Sequence, residues 1–323
     1  MRYIVIGAGA IGGTIGARLH QSGHEVLLIA RGPHYEALRS DGLRLITPHD
    51  DLRMDIPVAA GPVPVREDDV LILATKSQDT VGALDPWPRH LPVVCAQNGV
   101  ENERVALRRF DRVYGMCVWL PASHTEPGVV ACYGSPRSGL LHIGGYPHGA
   151  DETAKQIATD LDGSSFVALS SPEVMRWKYG KLLGNLNNAV EALVGHGAGV
   201  EEIMEHARTE GMAVLEEAGL PYSTRREERE LRRDKVEVVP IGGKTRDGGS
   251  SWQSLARGTG SIEADYLNGE IVLLGRELGI PTPANEVLQR EANRFALERR
   301  RPGSMELETL SALIDERSAA GSH

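Results

Sequence analysis

Cysteine is scarce in this chain. Only Cys95, Cys117 and Cys132 occur among its 323 residues, with no Cys-x-x-Cys pair and no Cys/His cluster at the spacing of metal ligands. That pattern argues against a disulfide framework and against a metal site, and it fits reduced thiols in the cytoplasm. Long apolar runs are missing too, since none approaches the roughly 20 residues of a membrane-spanning helix. The opening Met1-Arg2-Tyr3-Ile4-Val5-Ile6-Gly7 is too short an apolar stretch for a signal peptide and reads as a buried strand. Nor is there any basic excess: 35 Lys plus Arg face 44 Asp plus Glu, a formal charge of −9. The balance is 15 against 19 up to residue 170 and 20 against 25 beyond it, so neither half carries the footprint of a nucleic-acid partner. Internal repeats are also lacking.

What remains is an ordinary globular composition, long enough at about 150 residues per domain for two domains. Residues 3–6 form a β-branched run, followed by glycines, a helical stretch to about Ser22 and a second apolar run over 25–30. Together these make a βαβ unit of about 30 residues with a right-handed crossover. Short unbroken apolar runs recur at 70–74, 93–96, 113–118 and 140–143, which predicts a parallel sheet covered on both faces. The stretch 128–145, alternating and punctuated by Gly and Pro, is expected to extend that sheet in antiparallel fashion. A helix over 151–161 and a strand over 166–169 follow. Beyond Ser170-Ser171-Pro172 the spacing is helical, over 173–194, 200–218, 224–235, 262–278 and 284–299. The expected fold is therefore α/β, a Rossmann-type dinucleotide-binding domain over 1–171 followed by an all-helical domain over 172–323. Mixed charges over 225–235 indicate a solvated helix face. Segment 241–250, with four glycines and no periodicity, is expected to be a mobile loop, and the tail after Gly303 to be weakly structured apart from one short helix.

Gly7-Ala8-Gly9-Ala10-Ile11-Gly12 follows the first strand and opens a helix. Such a turn can merely join the two elements, but the spacing meets three further demands. Gly7 permits the tight turn, Gly9 lets the backbone approach a pyrophosphate, and Gly12 allows the helix to pack on the strand. The helix N-terminus then offers unpaired N–H groups to phosphate. The second strand ends Ile29-Ala30-Arg31, without the acidic residue that would bind an NAD ribose. Arg31 offers its planar, permanent charge to a 2′-phosphate instead, so the expected cofactor is NADP(H).

Hydride delivered to a ketone carbon leaves negative charge developing on oxygen, which calls for a proton donor in polar surroundings. Lys178, Lys181, Asn185 and Asn188 follow one another at steps of three, four and three, on one face of a helix whose other positions include Leu182, Leu183, Leu186 and Leu193. A solvated amphipathic face would suit the lysines; two asparagines, poor helix formers, favour a site. Partial burial would make a lysine the better acid near neutrality. Thr75-Lys76 and Gln97-Asn98-Gly99 close two predicted strands, where ligands of open α/β sheets collect.

These residues, with Val100-Glu101-Asn102, Glu126-Pro127-Gly128-Val129, Ser250-Ser251-Trp252, Glu263 through Gly269 and Gly279 through Asn285, resemble the ketopantoate reductase (2-dehydropantoate 2-reductase) family over nearly the whole chain. The resemblance implies NADPH-dependent reduction of a 2-oxo acid to a 2-hydroxy acid, and a C-terminal domain like that of 6-phosphogluconate dehydrogenase. It implies that Lys181 is the general acid and that Glu263 assists it. It further implies that Lys76 and Asn98 line the nicotinamide and substrate side, and that Asn185 and Ser251 contact the substrate. Thr75 and Gly99, at the same strand ends, are candidate cofactor contacts, and Asn188, on the polar stripe, is a candidate substrate contact. Glu263 is expected in the first turn of a helix, where the macrodipole alone would favour a carboxylate.

The chain departs from the family at Ala189, where another Asn is common, and at Trp252-Gln253-Ser254-Leu255, where a Met and then a Gln-Asp pair are common. A different keto acid, ketone or imine is therefore an alternative substrate, and a non-catalytic NADP(H) sensor an alternative role. The helical domain is a candidate surface for a homodimer.

Overall fold

In a computed structural model, which describes residues 1–246 and 248–320, the apolar runs of the first half form strands buried on both faces. Successive side chains serve opposite layers, as strand geometry requires. Tyr3, Val5, Val70, Ile72 and Val94 join one core, while Ile4, Ile6, Leu71, Leu73 and Val93 join the other. The eight-stranded sheet runs in the order Val167–Ser170, Leu140–Gly145, Val113–Trp119, Val93–Cys95, Asp69–Leu73, Arg2–Ile6, Glu25–Ile29, Val58–Ala59. All neighbours are parallel except Leu140–Gly145 against Val113–Trp119. The chain winds outward from Arg2–Ile6 in one direction, then returns to its other side at Asp69–Leu73, which makes the crevice between those strands the switch point where ligands bind.

The expected antiparallel extension over 128–145 holds for Leu140–Gly145 but not for Val129–Cys132. That strand lies in a separate four-stranded sheet, parallel to Leu43–Ile46 and antiparallel to Ala122–Glu126. Helix Ala10–Gln21 explains the diversion. Gly13 leaves its surface bare, and a Cβ there would stand 2.9 Å from Val130 Cγ1.

Two compact units emerge, and their division differs from 1–171 and 172–323. The first comprises Met1–Asn98, Asn102–Trp177 and Thr224–Arg246; the second comprises Gly99–Glu101, Lys178–Ser223 and the described residues from 248 onward. Helix Val174–Asn185 carries the change from one to the other. Segment 224–246 groups with the sheet unit because Val236–Val238 pairs with Gly134–Pro136, Arg232 stacks 4.2 Å over Trp119, and Arg176 pairs with Glu227 at 2.5 Å. Helix Arg225–Arg232 starts at a reciprocal cap between Thr224 and Glu227 and buries none of its residues, in keeping with its charge pattern.

The second unit is helical and has its own core, including Leu193, Phe295, Leu310 and Ile314. Helix Leu307–Ala320 supplies the last two, so the tail contributes to that core and is not weakly structured. Over 241–250, Ile241 and Lys244 form an antiparallel bridge, position 247 lies outside the described residues, and a helix begins at Ser250. Among the described residues no helix is long and apolar enough to cross a membrane.

His142, on Leu140–Gly145, is 4% exposed and stacks on Trp177 at 4.3 Å and 12°. Burial pushes its pKa down to about 4. Between pH 6.5 and 4 the unfolded chain therefore takes up a proton that the fold resists, and stability falls as pH falls. A shift of this size corresponds to about 3 kcal/mol. Between pH 7 and pH 4 the wild-type protein should lose about 3 kcal/mol more than His142→Phe in chemical denaturation. Parallel losses would show that His142 is not the acid-sensitive group.

Candidate active site

The glycine-rich turn Gly7–Gly12 sits at the end of Arg2–Ile6, at the switch point. Gly7 has φ +97°, and a Cβ there would lie 3.0 Å from Ala74 and Thr75 of the neighbouring strand end. At Gly12 a Cβ would come within 2.1 Å of the Gly7 carbonyl, so the helix can start this close to the turn only with glycine. Gly9 is the N-cap of helix Ala10–Gln21; nothing lies within 4 Å of where its Cβ would be, no side chain caps the helix, and its first turn holds no acid. A helix start with no side-chain cap, no acid and room at Gly9 fits the approach of a pyrophosphate. Arg31 is exposed and caps helix Gly32–Asp41 directly after Glu25–Ile29. No carboxylate occupies the strand end, in keeping with a 2′-phosphate.

Thr75 and Lys76 follow Asp69–Leu73, and Lys76 starts the short 3-10 turn Ser77–Asp79. Gln97 and Asn98 follow Val93–Cys95. A buried network holds these loops together. Asn102 Nδ2 donates to the Asn98 carbonyl at 2.9 Å and to Ser77 Oγ at 3.2 Å. Thr80 Oγ1 donates to Asn102 Oδ1 at 2.8 Å, and Gln97 Nε2 donates to Thr80 Oγ1 at 2.9 Å. Asn102 therefore positions both strand ends, a role not assigned to it from the sequence, because its partners lie up to 25 residues away. Asn102→Leu should strand several buried polar groups and lower stability by about 3 kcal/mol, read in denaturant unfolding. An unchanged midpoint would remove the network from the account. Gly99 groups with the helical unit, where its φ of +76° and the Tyr266 carbonyl, 2.8 Å from a Cβ position, both require glycine.

In the helical unit Lys178 is buried, and Lys181, Asn185 and Asn188 are half-buried, so the polar stripe is not a solvated face. The expected single helix over 173–194 is two, Val174–Asn185 and Asn187–Val194. Asn268 donates its Nδ2 to the Leu186 carbonyl at 3.3 Å at the break. The buried Asn185 Nδ2 and Asn187 Oδ1 have no hydrogen-bond partner among the described residues, which fits a surface that meets a ligand.

Ser251 is buried on helix Ser250–Ala256, which Glu191 docks: its Oε2 accepts the Gly249 N–H at 3.0 Å, and its Oε1 pairs with His196 at 2.9 Å. Asn188 Nδ2 reaches Ser250 Oγ at 3.5 Å, so the structure brings Asn188 beside the segment that carries Ser251. Glu191 was not singled out from the sequence, although it lies three residues after Asn188 on the same helix. Ala189 belongs to the helical core, and the Trp252 ring lies 3.1 Å from a Cβ position on Gly303 and 3.8 Å from one on Gly195.

Glu263 is buried but not in the first turn of an α-helix. It precedes the 3-10 turn Ala264–Tyr266, and helix Asn268–Leu278 starts only after Leu267. Asp265 holds that turn by accepting from Gln289 at 2.8 Å and Asn293 at 2.7 Å. The macrodipole of an α-helix therefore does not account for this carboxylate.

A doubly wound sheet with a glycine-rich turn at its switch point, in a chain that also carries an all-helical unit, is the build of a Rossmann-type oxidoreductase. The chain belongs to the ketopantoate reductase family. The family model described as ketopantoate reductase PanE/ApbA matches residues 3–147, and its C-terminal counterpart matches 173–295. A 2-dehydropantoate 2-reductase of Halobacterium salinarum is 30% identical over 305 residues, covering 89% of this chain and 96% of the relative. One from Pyrococcus abyssi is 27% identical, covering 89% and 95%. The crystal structure of a PanE/ApbA family ketopantoate reductase from Ralstonia eutropha JMP134 superposes with a TM-score of 0.77 at 30% identity, covering 93% of this chain and 99% of that one.

Proposed function

We propose that this protein catalyses the NADPH-dependent reduction of a 2-oxo acid to a 2-hydroxy acid, with 2-dehydropantoate as the leading substrate. The observation that carries this reading is the stripe Lys178, Lys181, Asn185 and Asn188, withdrawn from solvent, in a chain that also presents an uncapped, acid-free phosphate turn. The names of the relatives, 2-dehydropantoate 2-reductase, support the substrate class.

The turn from Gly7 through Ala8, Gly9, Ala10 and Ile11 to Gly12 would hold the pyrophosphate, and Arg31 the 2′-phosphate. Thr75, Lys76, Asn98 and Gly99 would line the nicotinamide end. When bound, the reduced nicotinamide supplies the hydride. Lys181 holds a proton at Nζ and passes it to the carbonyl oxygen, where its charge also offsets the developing negative charge. Glu263 orients that ammonium group. Asn185, Asn188 and Ser251 engage the polar end of the substrate.

The departures at Ala189 and Trp252 favour a second reading, in which the same chemistry serves another 2-oxo acid. The test is cofactor oxidation, followed by the near-ultraviolet absorbance of the reduced nicotinamide, with 2-dehydropantoate beside branched and polar 2-oxo acids and with NADH as control. Rapid turnover of 2-dehydropantoate with NADPH supports the leading reading, and turnover of another 2-oxo acid alone supports the second. Binding of NADPH without oxidation by any ketone would leave a sensor.

A further inference from the structure

His34 lies half-buried in helix Gly32–Asp41, and both of its ring nitrogens are engaged by distant backbone. The Gly128 N–H donates to Nδ1 at 2.9 Å. An amide N–H can only donate, so Nδ1 is unprotonated and the ring proton is on Nε2. From there it is donated to the Ala8 carbonyl at 2.7 Å. Ala8 stands between Gly7 and Gly9 in the phosphate-binding turn. In a planar trans peptide the carbonyl and the following N–H point in opposite directions, so holding the Ala8 carbonyl aims the Gly9 N–H. Gly9, which sets one of the two torsions flanking that peptide plane, leaves it more freedom to rotate than a side-chain-bearing residue would.

We propose that His34 is a positioning residue of the cofactor site, a clasp that fixes the Ala8–Gly9 peptide to the hairpin at Gly128 and so presets the Gly9 N–H for pyrophosphate. The proposal rests on the reading of this turn as the dinucleotide site. Hairpin and helix are themselves in register, because Gly128, at φ +81°, packs with a Cβ position 3.1 Å from Ala37 Cβ. Among titratable groups, the His124 ring faces His34 at 4.4 Å and 61° from strand Ala122–Glu126. Glu126 lies two residues before Gly128 on the hairpin, and Arg31 precedes the histidine on its own helix. The Ala8 turn carries no ionisable side chain. Burial holds the His34 pKa below the ordinary histidine value, partly offset by its bond to Ala8, which keeps the neutral tautomer in place near neutral pH. Protonation would put a second N–H on Nδ1, directed at the Gly128 N–H, and open the clasp.

The experiment is NADPH binding, followed by cofactor fluorescence, together with steady-state kinetics, on wild type, His34→Phe and His34→Gln. His34→Phe keeps a ring against His124 but makes neither bond, so Kd and KM for NADPH should rise about tenfold with kcat little changed. His34→Gln can still donate to Ala8 and should recover part of that loss. Wild-type affinity should fall more steeply on acidification than that of His34→Gln. The cofactor 2′-phosphate titrates identically in both proteins, so only the difference counts. In wild-type protein, independently of any variant, the ring nitrogen resonances of His34 should show the Nε2–H tautomer at neutral pH. An Nδ1–H tautomer, wild-type affinity in His34→Phe, or parallel pH profiles for wild type and His34→Gln would overturn the proposal. If wild type bound neither NADPH nor NADH, the reading of the turn would fail first, and the clasp with it.

Discussion

Lys181→Ala is expected to lower turnover by roughly 10²–10⁴-fold, the usual scale for loss of a general acid, with little change in NADPH affinity. Lys181 lies in the middle of Val174–Asn185, half-buried between Lys178 and Asn185 on a stripe withdrawn from solvent. As the proposed proton donor and not a cofactor ligand, Lys181 should show its loss in kcat. Lys181→Arg would keep the charge but hold its proton too firmly to transfer it, and should rescue little. Single-turnover and binding measurements on the same preparations separate the two effects. Near-wild-type turnover in Lys181→Ala would take this residue out of the mechanism.

Arg31→Asp should weaken NADPH by about one to two decades, through loss of charge-assisted bonds to the 2′-phosphate and the repulsion that replaces them. NADH, which has a free 2′-hydroxyl there, should bind as well as before or better, because an acid at the end of the second strand is the usual ribose ligand. Arg31 is exposed, and the substitution leaves the strand Glu25–Ile29 untouched, so folding should be spared. Kd values for both cofactors decide the matter. Equal losses would mean that Arg31 is an ordinary surface cation.

The local parts of this structure were legible because local sterics demand particular residues. Gly7 and Gly12 sit where any side chain would strike Thr75 or the Gly7 carbonyl, so the fingerprint announces itself. Capping of Arg225–Arg232 by Thr224 and Glu227 is equally local. What could not be read depends on partners far along the chain. A short apolar strand such as Val129–Cys132 looks the same in either sheet, and its close packing on the bare surface at Gly13, over a hundred residues earlier, is not written in its own residues. The helix break at Leu186 is met by an amide from Asn268. Glu263 departs from the expected first turn of a helix because Asp265, Gln289 and Asn293 hold a 3-10 turn where the spacing suggests a continuous helix. The roles of His34, Asn102 and Glu191 are tertiary in the same sense, each defined by hydrogen bonds to segments that the sequence does not place nearby.

The most direct test of the central claim is isotopic. NADPH carrying deuterium at the transferable position of the nicotinamide would be incubated with the protein and 2-dehydropantoate, or whichever 2-oxo acid is consumed, and the product examined by NMR. Hydride transfer predicts one deuterium on the carbinol carbon of the 2-hydroxy acid, in proportion to cofactor oxidised, and roughly 10²–10⁴-fold less labelled product from Lys181→Ala under the same conditions for the same time. Product without deuterium, or cofactor that binds but is oxidised by no 2-oxo acid, would contradict it.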